Sequence, residues 1–169
     1  MNFLAVSPVL LPLLTAALTA LLAPRKSLQH SLSLLGACAS LLCAAALVYL
    51  TAQGQILQVT FGVWSQPYGI GFSIDRLSAL MLLIAALIGL VSLICLAGDA
   101  TAGSSGRFAM QIPLVHGLLA GVGGIFATAD IFNLYVWFEV MLRSALGLLS
   151  GGAKLRHMEG TLKYMSLNM

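Results

Sequence analysis

Runs of uncharged apolar residues, each about 20 long and separated by short polar breaks, recur along this 169-residue chain and decide the solvent in which it folds. A chain crossing hydrocarbon must pair every backbone amide internally. Runs of this length do so only as α-helices, because barrel strands would be about half as long and would alternate. Composition agrees: 60% of the residues are apolar and 8% are charged, too few charges to cover a water-facing surface. The sequence predicts an all-α fold, a polytopic transmembrane helical bundle of five spans plus the start of a sixth.

The first span is expected over about residues 3–23, ended by Pro24, Arg25 and Lys26. These basic residues follow the apolar run, the reverse of a cleaved signal peptide, so the segment is expected to be retained. Pro8 and Pro12 remove backbone donors near its start. The second span covers about residues 28–50. The pattern then changes to period two over residues 58–64. Ser65-Gln66-Pro67 and residues 68–72 follow, which predicts an extramembrane β-hairpin.

Span three is expected to start around residues 73–75, where Asp75 can cap it, and to run to Ala97. Residues 98–106 read as a loop. Span four takes about residues 108–127. Only Thr128, Ala129 and Asp130 separate it from span five, residues 131–150, so these two helices are expected to form a tight antiparallel pair. A polar loop with Lys154, Arg156, His157 and Glu159 leads into a further apolar helix, which is cut short at Met169. The chain divides into a two-span region with the hairpin, residues 1–72, and spans three to six, residues 73–169.

If the spans alternate, Arg25, Lys26, Arg107, Lys154 and Arg156 fall on one side and only Arg76 near the other. The positive-inside rule places the rich side in the cytoplasm and the N-terminus and hairpin outside. The basic residues are dispersed and form no patch with interleaved aromatics, so no nucleic-acid partner is expected. Cys38, Cys43 and Cys95 lie inside apolar runs without metal spacing and read as lipid-facing or packing residues. No phosphate loop, metal-spaced cluster or nucleophile with its base is visible. The expectation is a transport subunit and not an enzyme, with no cofactor and no metal.

The charges within the spans carry the functional reading. Glu139 lies about nine positions into span five, about 13 Å from its outer end and near the bilayer centre. A carboxylate there costs on the order of 3 kcal/mol, so it is paired, protonated or facing a polar cavity. It reads either as a proton-carrying group or as a neutral side chain hydrogen-bonded across helices. Arg143 follows at i+4, where it can pair with Glu139 or snorkel to the cytoplasmic end. His116 sits at roughly 12 Å depth in span four, within about one turn of the level of Glu139, which permits a relay between them; the alternative is a neutral hydrogen-bonding histidine. Gly117, Gly121, Gly123 and Gly124 suit close helix packing, as Tyr135, Trp137 and Phe138 suit packing in span five. Lys163 reads as an interfacial anchor or the inner end of a proton path.

The stretch from His116 to Leu142, with Asp130-Ile131-Phe132-Asn133-Leu134-Tyr135-Val136-Trp137-Phe138-Glu139-Val140 at its heart, resembles the proton-translocating antiporter-like membrane subunits. These include the large subunits of Mrp-type multisubunit sodium/proton antiporters, the D subunits most of all, and the related membrane-arm subunits of respiratory complex I. Residues 72–81 and Glu159-Gly160-Thr161-Leu162-Lys163-Tyr164 resemble the starts of the family's third and sixth spans. The resemblance implies roughly fourteen spans with two inverted repeats of about five helices, of which residues 73–169 hold the beginning of the first.

It further implies that the carboxylate matching Glu139 is essential and pairs with a lysine on a seventh helix, that Lys163 matches a basic residue of the sixth, and that an apolar residue is the norm where Arg143 stands. The expected function is thus proton and cation translocation, with sodium as the cation, in the N-terminal portion of one large subunit of a multisubunit antiporter. Other membrane subunits and the lipid bilayer are its expected partners, and a bacterial plasma membrane its expected location. Two alternatives stand beside it: a proton-pumping subunit of a complex I-type or membrane-bound hydrogenase complex, and an inactive membrane fragment.

Overall fold

The computed structural model of the chain describes residues 3–61, 69–100, 107–151, 160–161 and 163–166. A 3-10 turn, Phe3–Val6, leads into α1 (Ser7–Leu21). Then come α2 (Lys26–Ala52), a hairpin of β1 (Leu57–Phe61) and β2 (Ile70–Ile74), α3 (Arg76–Ala100), α4 (Arg107–Ala127) and α5 (Ile131–Ser150). Among the described residues five helices are long and apolar enough to cross a bilayer, and the chain is a multi-pass membrane protein. Residues 160, 161 and 163–166 are helical.

Several boundaries move from their expected places. α2 is longer at both ends than residues 28–50. The hairpin begins at Leu57, and β2 continues through Ser73 and Ile74 because these pair with Gln58 and Leu57. The boundary expected between residues 72 and 73 therefore falls inside a strand. α3 continues through Gly98 to Ala100, past the expected start of a loop. The hairpin turn at Ser65-Gln66-Pro67, the rest of that loop at 101–106 and the polar stretch with Lys154, Arg156, His157 and Glu159 lie outside the described residues.

The helix ends follow from local chemistry. Asp75 caps α3, accepting from the Ser78 amide at 2.7 Å. Asp130 caps α5 with one carboxylate oxygen on the Phe132 amide and the other on the Asn133 amide, both at 3.2 Å. At the end of α2, Gly54 takes a positive φ of 83° to turn the chain. Arg76 then reaches back as a C-terminal cap for α2, donating to the carbonyls of Thr51 (3.0 Å) and Ala52 (2.7 Å).

Alternation sets the hairpin face. Leu57 and Val59 are buried opposite Ile74 and Phe72, and Gln58 and Thr60 are exposed. This face, with Ala5, Val9, Ala44, Leu47, Leu82 and Ala127, forms one core at the end of the bundle where the chain begins. Phe72 also bridges Thr128, and the Ala129 amide donates to the Gly71 carbonyl at 2.9 Å, so the hairpin grips the α4–α5 turn. The N-terminal turn, the hairpin and that turn therefore share one end, as alternating spans require.

α4 is central, packed against α1, α3 and α5, while α5 leans chiefly on α4 at the edge of the bundle. Pro12 cannot donate to the Pro8 carbonyl four residues back. Gly123 of α4 packs against that freed oxygen, where a Cβ would come within 2.5 Å. A stripe of α3 that includes Leu77, Leu80, Ile84, Leu87, Ile88, Val91 and Ile94 remains exposed, the surface a bilayer would cover.

Candidate functional site

Glycines set the register of the α4–α5 pair. A Cβ on Gly121 would meet the Met141 backbone at 2.6 Å, one on Gly117 the Ser144 hydroxyl at 2.7 Å, and one on Gly124 would overlap the Trp137 ring. The backbones meet with almost nothing between them. By this register Glu139 lies opposite Val122.

Glu139 and Arg143 pair across one turn of α5, Nε to Oε2 at 3.4 Å, the spacing expected for i and i+4. The Glu139 side chain is 20% exposed and that of Arg143 is 68% exposed. The same helix carries a broad uncovered apolar surface around them, including Phe132, Tyr135, Val136 and Phe138. Trp137, two residues before Glu139, packs on Phe72 with ring centroids 6.3 Å apart, and its indole nitrogen is buried without a hydrogen-bond partner among the described residues. An aromatic contact thus joins the hairpin to α5 near the level of the charged pair.

His116 is fully buried and turned away from α5. Its Nε2 lies 2.9 Å from the Ser33 hydroxyl on α2, and its Nδ1 has no hydrogen-bond partner among the described residues. The register places His116 opposite residue 145 of α5, six positions from Glu139. That is about 9 Å along the axis, nearly two turns and not the single turn expected from depth alone. The structure brings Glu139 to Arg143 and His116 to Ser33; it does not bring His116 to Glu139. Lys163 sits on the short exposed helical stretch near the chain end. Cys38 and Cys95 are exposed on helix surfaces and Cys43 is half-buried.

Beside His116 runs a set of polar groups that sequence reading passed over. Gln29 is fully buried and its amide nitrogen donates to the Thr19 carbonyl of α1 (2.9 Å) and the Ala109 carbonyl of α4 (2.7 Å). Thr19 and Ser33 are buried with it. The available signal was the spacing Gln29, Ser33 at i and i+4 within an apolar run. Among the described residues no group of three or more His, Cys, Asp or Glu side chains is placed to hold a metal ion.

No protein-family model matches the chain. Over its whole length it is 32% identical to the D subunit of the Na(+)/H(+) antiporter of Alkalihalophilus pseudofirmus and 33% identical to that of Bacillus subtilis. The chain is a homologue of these antiporter D subunits. A probable K(+)/H(+) antiporter D subunit of Rhizobium meliloti is 32% identical, again across the whole chain. The chain spans about a third of the length of these relatives, 34%, 34% and 32% respectively.

Solved structures agree. A chain of the Mrp complex from Dietzia sp. DQ12-45-1b superposes with a TM-score of 0.83 at 31% identity, covering 99% of this chain and 32% of that one. A chain of the membrane-bound sulfane sulfur reductase, an archaeal respiratory membrane complex, gives 0.88 at 26% identity, covering 99% and 34%. For a homologue of an antiporter D subunit, the geometry supplies two polar sets on different sides of α4: an ion pair on α5, and a buried histidine held by α2.

Proposed function

We propose that this chain is a proton- and cation-translocating part of a multisubunit monovalent cation/proton antiporter, with Glu139 as the group that takes up and releases the proton. The Glu139–Arg143 pair, set in the middle of an edge span, carries this reading. Two charges facing bare hydrocarbon would cost several kcal/mol, about 3 for each, so that face suits a polar cavity or a covering helix. Arg143 compensates the carboxylate locally, and its long exposed side chain is the part of the pair that can leave the contact and return to it. The pair can act as a switch because it is made by one local contact to an exposed side chain.

His116 is assigned a second proton station on α4, and Lys163 the inner end of the path. Residues 73–169 are read as the beginning of the first antiporter-like repeat. Sodium is the proposed cation, other membrane subunits the partners and a bacterial plasma membrane the location. The test is exchange in inverted vesicles carrying the assembled complex with the full-length counterpart. Glu139→Gln is expected to abolish sodium-dependent proton exchange; exchange at the wild-type rate would show that Glu139 has no such role.

The high structural likeness to a respiratory membrane complex favours a second reading, a proton-pumping subunit coupled to redox chemistry in partner proteins. Co-purification separates the two. Flavin and iron-sulfur proteins in the isolated complex would establish the second, and membrane subunits alone the first.

A further inference from the structure

We propose that Ser33 on α2 is a positioning residue for His116, committing one ring nitrogen so that the other is the atom that exchanges the proton. The inference rests on the assignment of His116 as a proton station.

Serines inside the spans of this chain usually satisfy themselves locally. Ser40, Ser92 and Ser144 each donate to the carbonyl four residues back, at 2.9, 2.8 and 2.9 Å. Ser33 is paired across helices, to His116 Nε2 at 2.9 Å, with both residues at most 2% exposed. Its place is set from one turn below, where Gln29 bonds α2 to α1 and α4 at once. The hydroxyl is therefore held by the frame of three helices.

Nε2 is committed to Ser33, and Nδ1 is buried without a hydrogen-bond partner among the described residues. When the hydroxyl accepts from Nε2–H, Nδ1 presents a lone pair. A proton arriving there gives an imidazolium whose Nε2–H still rests on Ser33, and the same proton can leave from Nδ1 with the ring unmoved. A ring free to rotate would offer either nitrogen in either direction. Among the described residues the charged pair Glu139–Arg143 lies on α5, and α1 has no ionisable side chain. Lys26 and His30 stand at the start of α2 and Arg76 at the start of α3, so the hydroxyl is the polar group the ring actually meets.

The experiment compares Ser33→Ala, Ser33→Thr, His116→Asn and the Ser33→Ala/His116→Asn double variant. Each is made in the assembled complex in inverted vesicles, with exchange normalised to the amount of subunit present. Ser33→Ala is expected to slow proton exchange about tenfold, the kinetic equivalent of one hydrogen bond. Ser33→Thr, which keeps the hydroxyl, is expected to restore it. The double variant should be no slower than His116→Asn alone, because Ser33 acts through the ring. A wild-type rate in Ser33→Ala, a Thr variant as slow as the Ala variant, or independent losses in the double variant would each overturn the inference while leaving His116 in place. A wild-type rate in His116→Asn would instead remove the station itself, and the inference with it.

Discussion

Replacing Gly121 by alanine tests the α4–α5 seam on which the placement of Glu139 depends. The added Cβ would lie 2.6 Å from the Met141 amide nitrogen and 2.7 Å from its Cα, so the obstacle is helix backbone and no rotamer change relieves it. Ordinary carbon contacts sit at about 3.5–4.0 Å, which requires α5 to retreat by about 1 Å over its central turns. Forced separation of packed elements costs about 1–3 kcal/mol, a shift of roughly 5- to 150-fold in the folded-to-unfolded ratio.

The matched control is Gly98→Ala on α3, where nothing lies within 4 Å of the added Cβ. Denaturant unfolding in mixed micelles should place Gly121→Ala below the parent by that amount and Gly98→Ala at or slightly above it. Equal resistance in the two variants would refute the seam. It would mean that α5 is not seated against Gly121, and that the depth assigned to Glu139 from this register is wrong.

Phe72→Ala should loosen the hairpin from α5 at a cost of about 3–5 kcal/mol, because the ring packs on Phe61 at 5.6 Å and on Trp137 at 6.3 Å; in a Trp64→Phe background, Trp137 emission should shift to longer wavelength. Asp130→Ala removes the acceptor of two amides at the start of α5 and should cost about 1 kcal/mol, read as faster hydrogen exchange at Phe132 and Asn133. The Ser78 amide and hydroxyl hold the Asp75 carboxyl below its usual 3.8. With the folded value depressed, the cap is fully present above about pH 4 and is lost as the pH falls through the folded value, so protection of the Ser78 amide should drop on acidification below that point and stay level in Asp75→Asn.

Apolar run length made the five spans legible, and period-two alternation marked the hairpin, because each is a local property. The ends were less legible. Ser73 and Ile74 look like the approach to a helix until Gln58 and Leu57 pair with them, and Gly98 stops a helix only where nothing else prolongs it. The Glu139–Arg143 contact could be read from the sequence since i and i+4 fixes it without knowledge of the fold. The partner of His116 could not, because α2 and α4 are apolar nearly all round and their periodicity does not say which face meets which neighbour. Depth alone suggested Glu139; rotation about the axis of α4 selected Ser33.

That rotation constrains how the two polar sets can communicate. A proton passes between groups within hydrogen-bond reach, roughly 3 Å, and the axial offset of about 9 Å between His116 and Glu139 exceeds it several times over. The glycines of α4 that face α5 exclude water by drawing the backbones together, yet Gly117 also leaves the Ser144 hydroxyl beside α4 at nearly the level of His116. Ser144 donates to the Val140 carbonyl, the residue after Glu139, so its hydroxyl retains acceptor capacity within the seam. On the proposed reading a direct handoff from His116 to Glu139 is closed. Any exchange between them must use an intermediate acceptor such as Ser144, or each must serve its own side of α4.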